Sequence, residues 1–209
     1  MIRKLLKPLN FIVKKNKRYI YCAPHPNGKN DCYDLINYTA DNLLCVINMM
    51  LQKYDGEHIV LFVERFDKSR DLIIQDYIQR IANKNITIKL LDSHYGKNGV
   101  KKYLTMLKNM LVRYRCKYLF VDTGYVHYYD KVKRQVLINF NYCTPFKVAK
   151  GYKKGHSFYN INYNFETSLM TAQINAAEFL IPLPNCHISG FPRNDYLQVG
   201  TKYEEIIIG

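Results

Sequence analysis

Apolar strand-like segments alternate with helical segments along most of this chain, and this alternation constrains the fold more than any other feature. Runs such as Ile59-Val60-Leu61-Phe62-Val63 are continuous and β-branched, which is typical of strands buried on both faces of a sheet. Between such runs, apolar residues recur at helical spacing. This alternation predicts βαβ units whose parallel strands form one sheet covered on both faces. We therefore predict an α/β, Rossmann-like, doubly wound domain with a mainly parallel sheet.

The sequence predicts a series of strands and helices that run through the whole lobe. The strands cover residues 18–23, 58–63, 86–91, 118–121, 135–140 and 186–189, and the helices cover residues 39–54, 69–82, 99–115 and 168–179. The helix at 99–115 is the clearest, because it carries a continuous apolar stripe, which places Tyr103 in the core. The stripe comprises Val100, Tyr103, Leu104, Leu107, Met110, Leu111 and Tyr114. Residues 151–164 are rich in Gly, Lys, Tyr and Asn and are predicted to form a loop.

Three parts of the chain differ in character. Residues 1–17 mix apolar and basic side chains as a basic amphipathic segment, residues 18–195 form the Rossmann-like lobe, and residues 196–209 are expected to begin a crossover to a missing second lobe. The first segment fits two roles, a helix lying on an anionic bilayer or a helix packed on the domain with a solvated basic edge. Pro8 argues against an unbroken helix there. The sequence has no run of about 18 apolar residues, so we expect no membrane-spanning segment.

Basic residues outnumber acidic ones, 31 to 17, for a formal net charge of +14. Such a chain favours anionic partners, which are nucleic acid, an anionic membrane surface or phosphorylated substrates. Nucleic acid is the least favoured, because a basic–aromatic cluster such as Lys101-Lys102-Tyr103 includes a residue of the apolar stripe. The six cysteines and six histidines lack metal-ligand spacing, so we expect reduced thiols, no metal site and no cofactor.

Two polar segments follow predicted strands late in the lobe. Thr144-Pro145-Phe146-Lys147 is the first, and residues 190–197 are the second. In open α/β sheets, ligands bind beyond the carboxyl ends of the strands. We therefore predict that Lys147 and Arg193 line one mouth of the sheet, where their cationic side chains bind phosphate groups.

An acidic residue, Asp122, directly follows the predicted strand at 118–121. Its carboxylate fits two roles at this position. It could orient a sugar or glycerol hydroxyl, or it could cap the turn that follows the strand.

These segments resemble the motifs of the CDP-glycerol glycerophosphotransferase family, whose members prime and polymerise teichoic acids and related glycerol-phosphate or ribitol-phosphate polymers. Residues 133–147 read Lys-Arg-Gln-Val-Leu-Ile-Asn-Phe-Asn-Tyr-Cys-Thr-Pro-Phe-Lys. They are similar to the family pattern of Lys-Arg, a few residues, then Ile-Gln-x-Trp-His-Gly-Thr-Pro-Leu-Lys. Residues 190–197 match the pattern Gly-Tyr-Pro-Arg-Asn-Asp-x-Leu except at Phe191. The strand ending at Asp122 and the pair Asp41-Asn42 also resemble the family.

The resemblance implies the N-terminal, acceptor-side half of a GT-B fold, with the CDP-activated polyol donor bound by a second lobe. It implies a transferase that makes a phosphodiester in teichoic-acid-like or capsular polymer synthesis, peripheral to the cytoplasmic face of the cell membrane, with a lipid-linked, phosphate-rich acceptor. The implied phosphate or substrate contacts are Thr144, Lys147, Arg193 and Asp122, and the residues implied to shape the crossover are Pro192, Asn194 and Asp195.

One departure from the family pattern concerns catalysis. Tyr142 stands where the family has its motif histidine. A tyrosine, with a pKa of about 10, is a poor base at neutral pH, although it can donate a hydrogen bond to a phosphate oxygen. The second departure is the missing donor-binding lobe, without which the clamp on the donor diphosphate is incomplete, so we expect the chain to be inactive alone. The alternative is a non-catalytic module that binds anionic glycopolymer or a partner lobe.

Overall fold

The structure is a computed structural model that describes residues 8–23, 42–64, 83–92, 97–121, 134–141, 161–179 and 181–194. Seven strands form a single sheet in the order β3-β2-β1-β4-β5-β6-β7. The strands are β1 (Asn16–Ala23), β2 (Ile59–Glu64), β3 (Ile86–Leu91), β4 (Cys116–Val121), β5 (Val136–Asn139), β6 (Tyr163–Glu166) and β7 (Cys186–Ile188). Every neighbouring pair is parallel, so the predicted α/β, Rossmann-like fold is confirmed.

The sheet order reverses direction at β1, which lies between β2 and β4. Ala23 at the end of β1 is paired with Val121 at the end of β4. In a doubly wound sheet, such a reversal opens a crevice at the carboxyl edge. The carboxyl ends of β1, β4, β5, β6 and β7 therefore form the edge on which a site is expected.

One strand was not predicted from the sequence. Residues 151–164 were predicted to be a loop, but Tyr163 and Asn164 begin β6, which pairs with both β5 and β7. Its inward side chains, Asn164 and Glu166, are polar although they are 0% and 1% exposed. The prediction failed because these residues are buried through hydrogen bonds rather than through apolar character.

Three helices of known bounds accompany the sheet: α1 (Asn42–Lys53), α2 (Gly99–Arg115) and α3 (Leu169–Phe179). They correspond to three of the four predicted helices, and the fourth, at 69–82, lies outside the described residues. Alternate residues of β1 face two separate cores. Ile20 and Cys22 pack in a cluster with the apolar face of α1, which includes Leu43. Tyr21 belongs to the other cluster, against which Val112 of α2 packs.

The apolar stripe of α2 is not buried as the sequence predicted. The described buried face consists of Asn109, Met110, Arg113 and Tyr114 in its last turns. Tyr103, which was predicted to be in the core, is 55% exposed, and Leu104 is 59% exposed. All the described buried residues lie in the last turns, so the sheet covers the carboxyl-terminal part of the helix and leaves the amino-terminal part of the stripe exposed.

The N-terminal segment packs on the domain through polar contacts. Residues 8–12 are helical, and Pro8 stands in the first described turn, a position where proline is tolerated. The Asn10 amide donates to Oε1 of Gln135 (3.3 Å), and the Lys15 ammonium donates to the carbonyl oxygen of Tyr114 (2.6 Å). Strand β1 already begins at Asn16, two residues before its predicted start. None of the helices in the described ranges is long and apolar enough to cross a bilayer.

Candidate functional site

The described part of the carboxyl edge ends close to both sequence motifs. The first motif, residues 133–147, is described from Arg134 to Asn141, and the part that carries its predicted site residues begins just after Asn141. The second begins at Gly190, just after β7. Strand β6 lies between β5 and β7, so the two motifs leave the sheet from strands about 10 Å apart.

Some of the predicted site residues are among the described residues, and others are not. Arg193 lies in a short 3-10 helix, Pro192–Asn194, in which the Asn194 side chain is exposed. The remaining predicted residues lie outside the described residues, and they are Asp122, Tyr142, Thr144, Lys147 and Asp195. The structure thus describes the strand ends from which the segments that carry these residues begin.

Glu166, at the end of β6, is the centre of a buried polar network. Its Oε1 atom accepts hydrogen bonds from the side-chain amides of Asn141 (3.0 Å), Asn164 (2.5 Å) and Asn175 (2.6 Å). Burial raises the pKa of the Glu166 carboxyl above its ordinary value, and hydrogen bonds from Asn175, Thr171, Asn164 and Asn141 oppose the rise. The amide donors therefore compensate a carboxylate that is almost completely removed from water.

Asn141 holds the start of the first motif in an unusual backbone conformation. Its φ of 58° lies in the left-handed region, which asparagine tolerates better than most residues. Its side-chain amide bonds to Phe165 O (3.2 Å) as well as to Glu166, and Asn42 donates to the Asn141 carbonyl oxygen (2.6 Å). These contacts fix the direction in which the chain leaves β5 toward Tyr142.

Gly190 directs the start of the second motif. Its φ is 81°, a conformation that glycine adopts without a steric penalty. The backbone N–H groups of Ser189 and Gly190 both donate to the backbone carbonyl oxygen of Glu166, each over 3.1 Å. The buried Phe191 then accepts from the Asn194 N–H (2.8 Å), and the 3-10 helix packs against α1.

Glu166 therefore contacts the start of both motifs. Its carboxylate binds Asn141, and its backbone carbonyl binds Ser189 and Gly190. We call this arrangement the Glu166 junction. It sets the spacing between the segment that leads to Lys147 and the segment that contains Arg193.

The sequence alone did not single out this junction. Asn139 and Asn164 bond to each other over 2.7 Å in its interior, yet isolated asparagines are common in this Asn-rich chain. The available signal was the pattern Asn164-Phe165-Glu166, which alternates like a strand with inverted polarity. Only knowledge of the strand pairing shows that these polar residues face inward.

The sheet and the motif-bearing carboxyl edge define an α/β, Rossmann-like lobe of the GT-B type. The family model of CDP-Glycerol:Poly(glycerophosphate) glycerophosphotransferase matches residues 43–206, and the chain belongs to this family. The resemblance noted from the two motifs is thereby confirmed.

Solved structures with the same fold are forms of the wall teichoic acid polymerase TagF. One TagF structure has a TM-score of 0.54 and 16% sequence identity, with 96% of this chain and 44% of that chain covered. A histidine-to-asparagine TagF variant soaked with CDPG has a TM-score of 0.53 and 14% identity, with coverage of 88% and 41%. This chain thus spans less than half of the TagF chain. None of the curated proteins compared with this chain matches it.

Proposed function

We propose that this chain forms the acceptor-side lobe of a transferase that uses CDP-glycerol or another CDP-polyol. An acceptor hydroxyl attacks the β-phosphorus of the donor, the bond from that phosphorus to the bridging oxygen breaks, and CMP leaves. The products are a phosphodiester, CMP and the proton lost by the hydroxyl. Family membership supports this reaction class, and the soaking of TagF with CDPG supports the donor class.

The observation that carries the proposal is the Glu166 junction. Asn141 of the first family motif and Gly190 of the second are both bonded to this residue, on the carboxyl edge where parallel α/β sheets bind ligands. Lys147 and Arg193 are proposed to contact phosphate oxygens, with Thr144 as a hydrogen-bond donor beside them. Asp122, which follows the switch-point strand β4, is proposed to orient a polyol hydroxyl. Asp195 is proposed to shape the crossover together with Pro192 and Asn194.

Because Tyr142 stands in place of the motif histidine, the proposed reaction requires a general base from elsewhere. A phenol of ordinary pKa stays protonated at neutral pH, so Tyr142 supplies a hydrogen bond and not a general base. The donor clamp and the base are then proposed to come from a second lobe, so the chain alone is proposed to be inactive. The acceptor is proposed to be lipid-linked and phosphate-rich, which places the protein at the cytoplasmic face of the membrane.

A turnover assay with radiolabelled CDP-glycerol tests this proposal. The chain is assayed alone and together with any neighbouring gene product that supplies a second Rossmann-like lobe, with lipid-linked glycerol phosphate as acceptor. We expect label in polymer only when both are present. Lys147→Ala should lower incorporation at least tenfold, whereas Lys153→Ala, outside the motif, should leave incorporation unchanged.

The substitution of Tyr142 for the motif histidine also favours a second candidate, a non-catalytic module for anionic glycopolymer. This candidate predicts polymer binding with no incorporation in any combination of lobes. Polymer binding that is abolished by Lys147→Ala, without turnover, would establish the module and reject the transferase.

A further inference from the structure

Four apolar side chains of helix α2, which we call the apolar row, are exposed to solvent. Val100 is 72% exposed, Tyr103 55%, Leu104 59% and Leu111 39%. Residues 100, 104 and 111 are four and seven positions apart, which places them along one side of the helix. The buried residues Met110 and Tyr114 lie in the last turns of the helix, whereas these four side chains are exposed, so the described core does not use this row.

A basic row runs directly beside the apolar row. Lys101, Lys108 and Arg115 are exposed and seven residues apart, so they lie along one line of the helix. Lys108 and Arg115 each follow an exposed leucine by four residues, which makes them its neighbours on the surface.

The charged side chains of α2, all within the described residues, are basic. Helix α2 contains five Lys and Arg residues and no Asp or Glu. Asp92, which lies close to its first turns, is within 3.8 Å of the Lys97 ammonium. An apolar row bordered by basic side chains is complementary to a partner that is apolar inside and anionic at its surface.

The helical segment at residues 8–12 is held at the carboxyl-terminal end of α2. Lys15 donates to the Tyr114 carbonyl, and Asn10 is joined to the Arg113 carbonyl through Gln135. In this segment Phe11 is 56% exposed and Ile12 is 76% exposed. More apolar surface is therefore anchored at one end of the α2 row.

We propose that the exposed face of α2, together with residues 8–12, binds an anionic lipid bilayer. The apolar rows enter the interface, while Lys101 and Lys108 contact lipid phosphates. This deepens the proposed function by naming the surface that meets the membrane.

The position of α2 also sets how the lobe is oriented on that membrane. The helix runs back along the sheet from the carboxyl edge, after β3, to the start of β4. A helix lying flat on the bilayer holds these strands nearly parallel to the membrane plane. The carboxyl edge with the Glu166 junction then opens sideways along the surface, where a lipid-linked acceptor would extend.

Flotation of the purified chain with vesicles tests the proposal. Vesicles of equal parts phosphatidylglycerol and phosphatidylcholine are compared with vesicles of phosphatidylcholine alone, without any donor nucleotide. We expect binding to the anionic vesicles that weakens as salt is raised. The double variant L104S/L111S should bind at least about tenfold more weakly, because two leucines no longer enter the bilayer.

A matched control removes equally exposed apolar side chains elsewhere. Leu169 and Met170 of α3 are 57% and 65% exposed, so L169S/M170S should bind vesicles like the wild type. K101Q/K108Q should weaken binding about fivefold per lysine while keeping every apolar side chain. If L104S/L111S does not fold, the vesicle binding of K101Q/K108Q tests the proposal.

Three results would overturn the proposal. They are a wild-type chain that ignores anionic vesicles, equal weakening by L104S/L111S and L169S/M170S, and a dimer in sedimentation that L104S/L111S dissociates while vesicle binding persists. Because no donor is present, a failure here leaves the transferase proposal standing, and a failed turnover assay leaves this one standing.

Discussion

The side-chain amide of Asn141 donates a hydrogen bond to Oε1 of Glu166 over 3.0 Å, although 25 residues separate them in the chain. The bond joins the residue that leads into the first family motif to the end of β6. The backbone of Glu166 in turn holds the residues that lead into the second motif. One buried residue therefore relates two segments that the sequence presents as independent.

Glu166→Gln is expected to destabilise the protein by about 1–3 kcal/mol, because it places an NH2 group, which cannot accept a hydrogen bond, among three buried amide donors. Urea denaturation followed by circular dichroism measures the change. Glu57→Gln provides the control, since Glu57 is exposed and pairs with the exposed Arg18. Its effect should stay below about 0.5 kcal/mol, and an equal effect of both variants would contradict the role of the junction.

The pH dependence of stability should carry the signature of Glu166. Burial raises the pKa of its carboxyl from the ordinary 4.5, so the folded protein holds a proton where the unfolded chain has lost it. The contribution of the Glu166 carboxyl group to the free energy of unfolding is complete below pH 4.5. It is lost as the pH rises through the raised pKa of the folded state. Urea titrations of the wild type and E166Q over about pH 4 to 8 should show the difference between them narrowing with pH. A constant difference would mean that the pKa is not raised.

Substitutions at Asn141 should separate backbone strain from hydrogen bonding. Both Asn141→Ala and Asn141→Gly remove the bond to Glu166, but alanine must also adopt a φ of 58°. We expect alanine to cost about 1–2 kcal/mol more than glycine in the free energy of unfolding. Thermal and urea unfolding of the two variants measure this gap. Equal stabilities would indicate that the backbone here relaxes on substitution.

Gln135 should be important for the opposite edge of the sheet. Its Nε2 group donates to the carbonyl oxygens of Arg113 and Cys116, both over 2.8 Å, and its Oε1 atom accepts from Asn10. Gln135→Ala leaves these buried groups without that partner and should cost about 1–3 kcal/mol. Lys53→Ala, at an exposed position of α1, serves as the control and should be nearly neutral. Limited proteolysis should cut the N-terminal segment faster in Q135A than in K53A.

Cysteine reactivity offers a further check on burial. Cys116 is completely buried and free, and burial raises its pKa to about 12. At about pH 8 almost none of it is thiolate, so iodoacetamide should leave it unmodified in the folded protein and alkylate it in urea. Peptide mass spectrometry distinguishes Cys116 from the other cysteines. Rapid alkylation of native Cys116 would show that the end of α2 opens readily.

Strands with apolar inward residues could be predicted from the sequence, and β6 could not. The run from Ile59 to Val63 is buried by the hydrophobic effect, which leaves a direct compositional trace. Asn164 and Glu166 are buried because partners elsewhere in the chain satisfy their polar groups. Those partners are known only once the strands are paired, so a single-sequence pattern does not show them.

The motif residues illustrate the same limit in the candidate site. The sequence identified the two segments around Lys147 and Arg193, because Thr-Pro-x-Lys and Pro-Arg-Asn-Asp are local patterns. It did not identify Glu166, which relates the segments to each other. It also placed Tyr103 in the core, since periodicity predicts an apolar face but not how much of the length of that face the sheet covers.

The double attachment at Glu166 has a consequence for protein engineering within this family. If the loop of one motif were grafted alone into another family member, it would lie beside the β6 strand of the recipient protein. That strand would not carry the contacts that position the grafted loop. Chimeras between family members should therefore exchange residues 134–194 as one segment. Strand β6 is then transferred together with the two turns that it contacts.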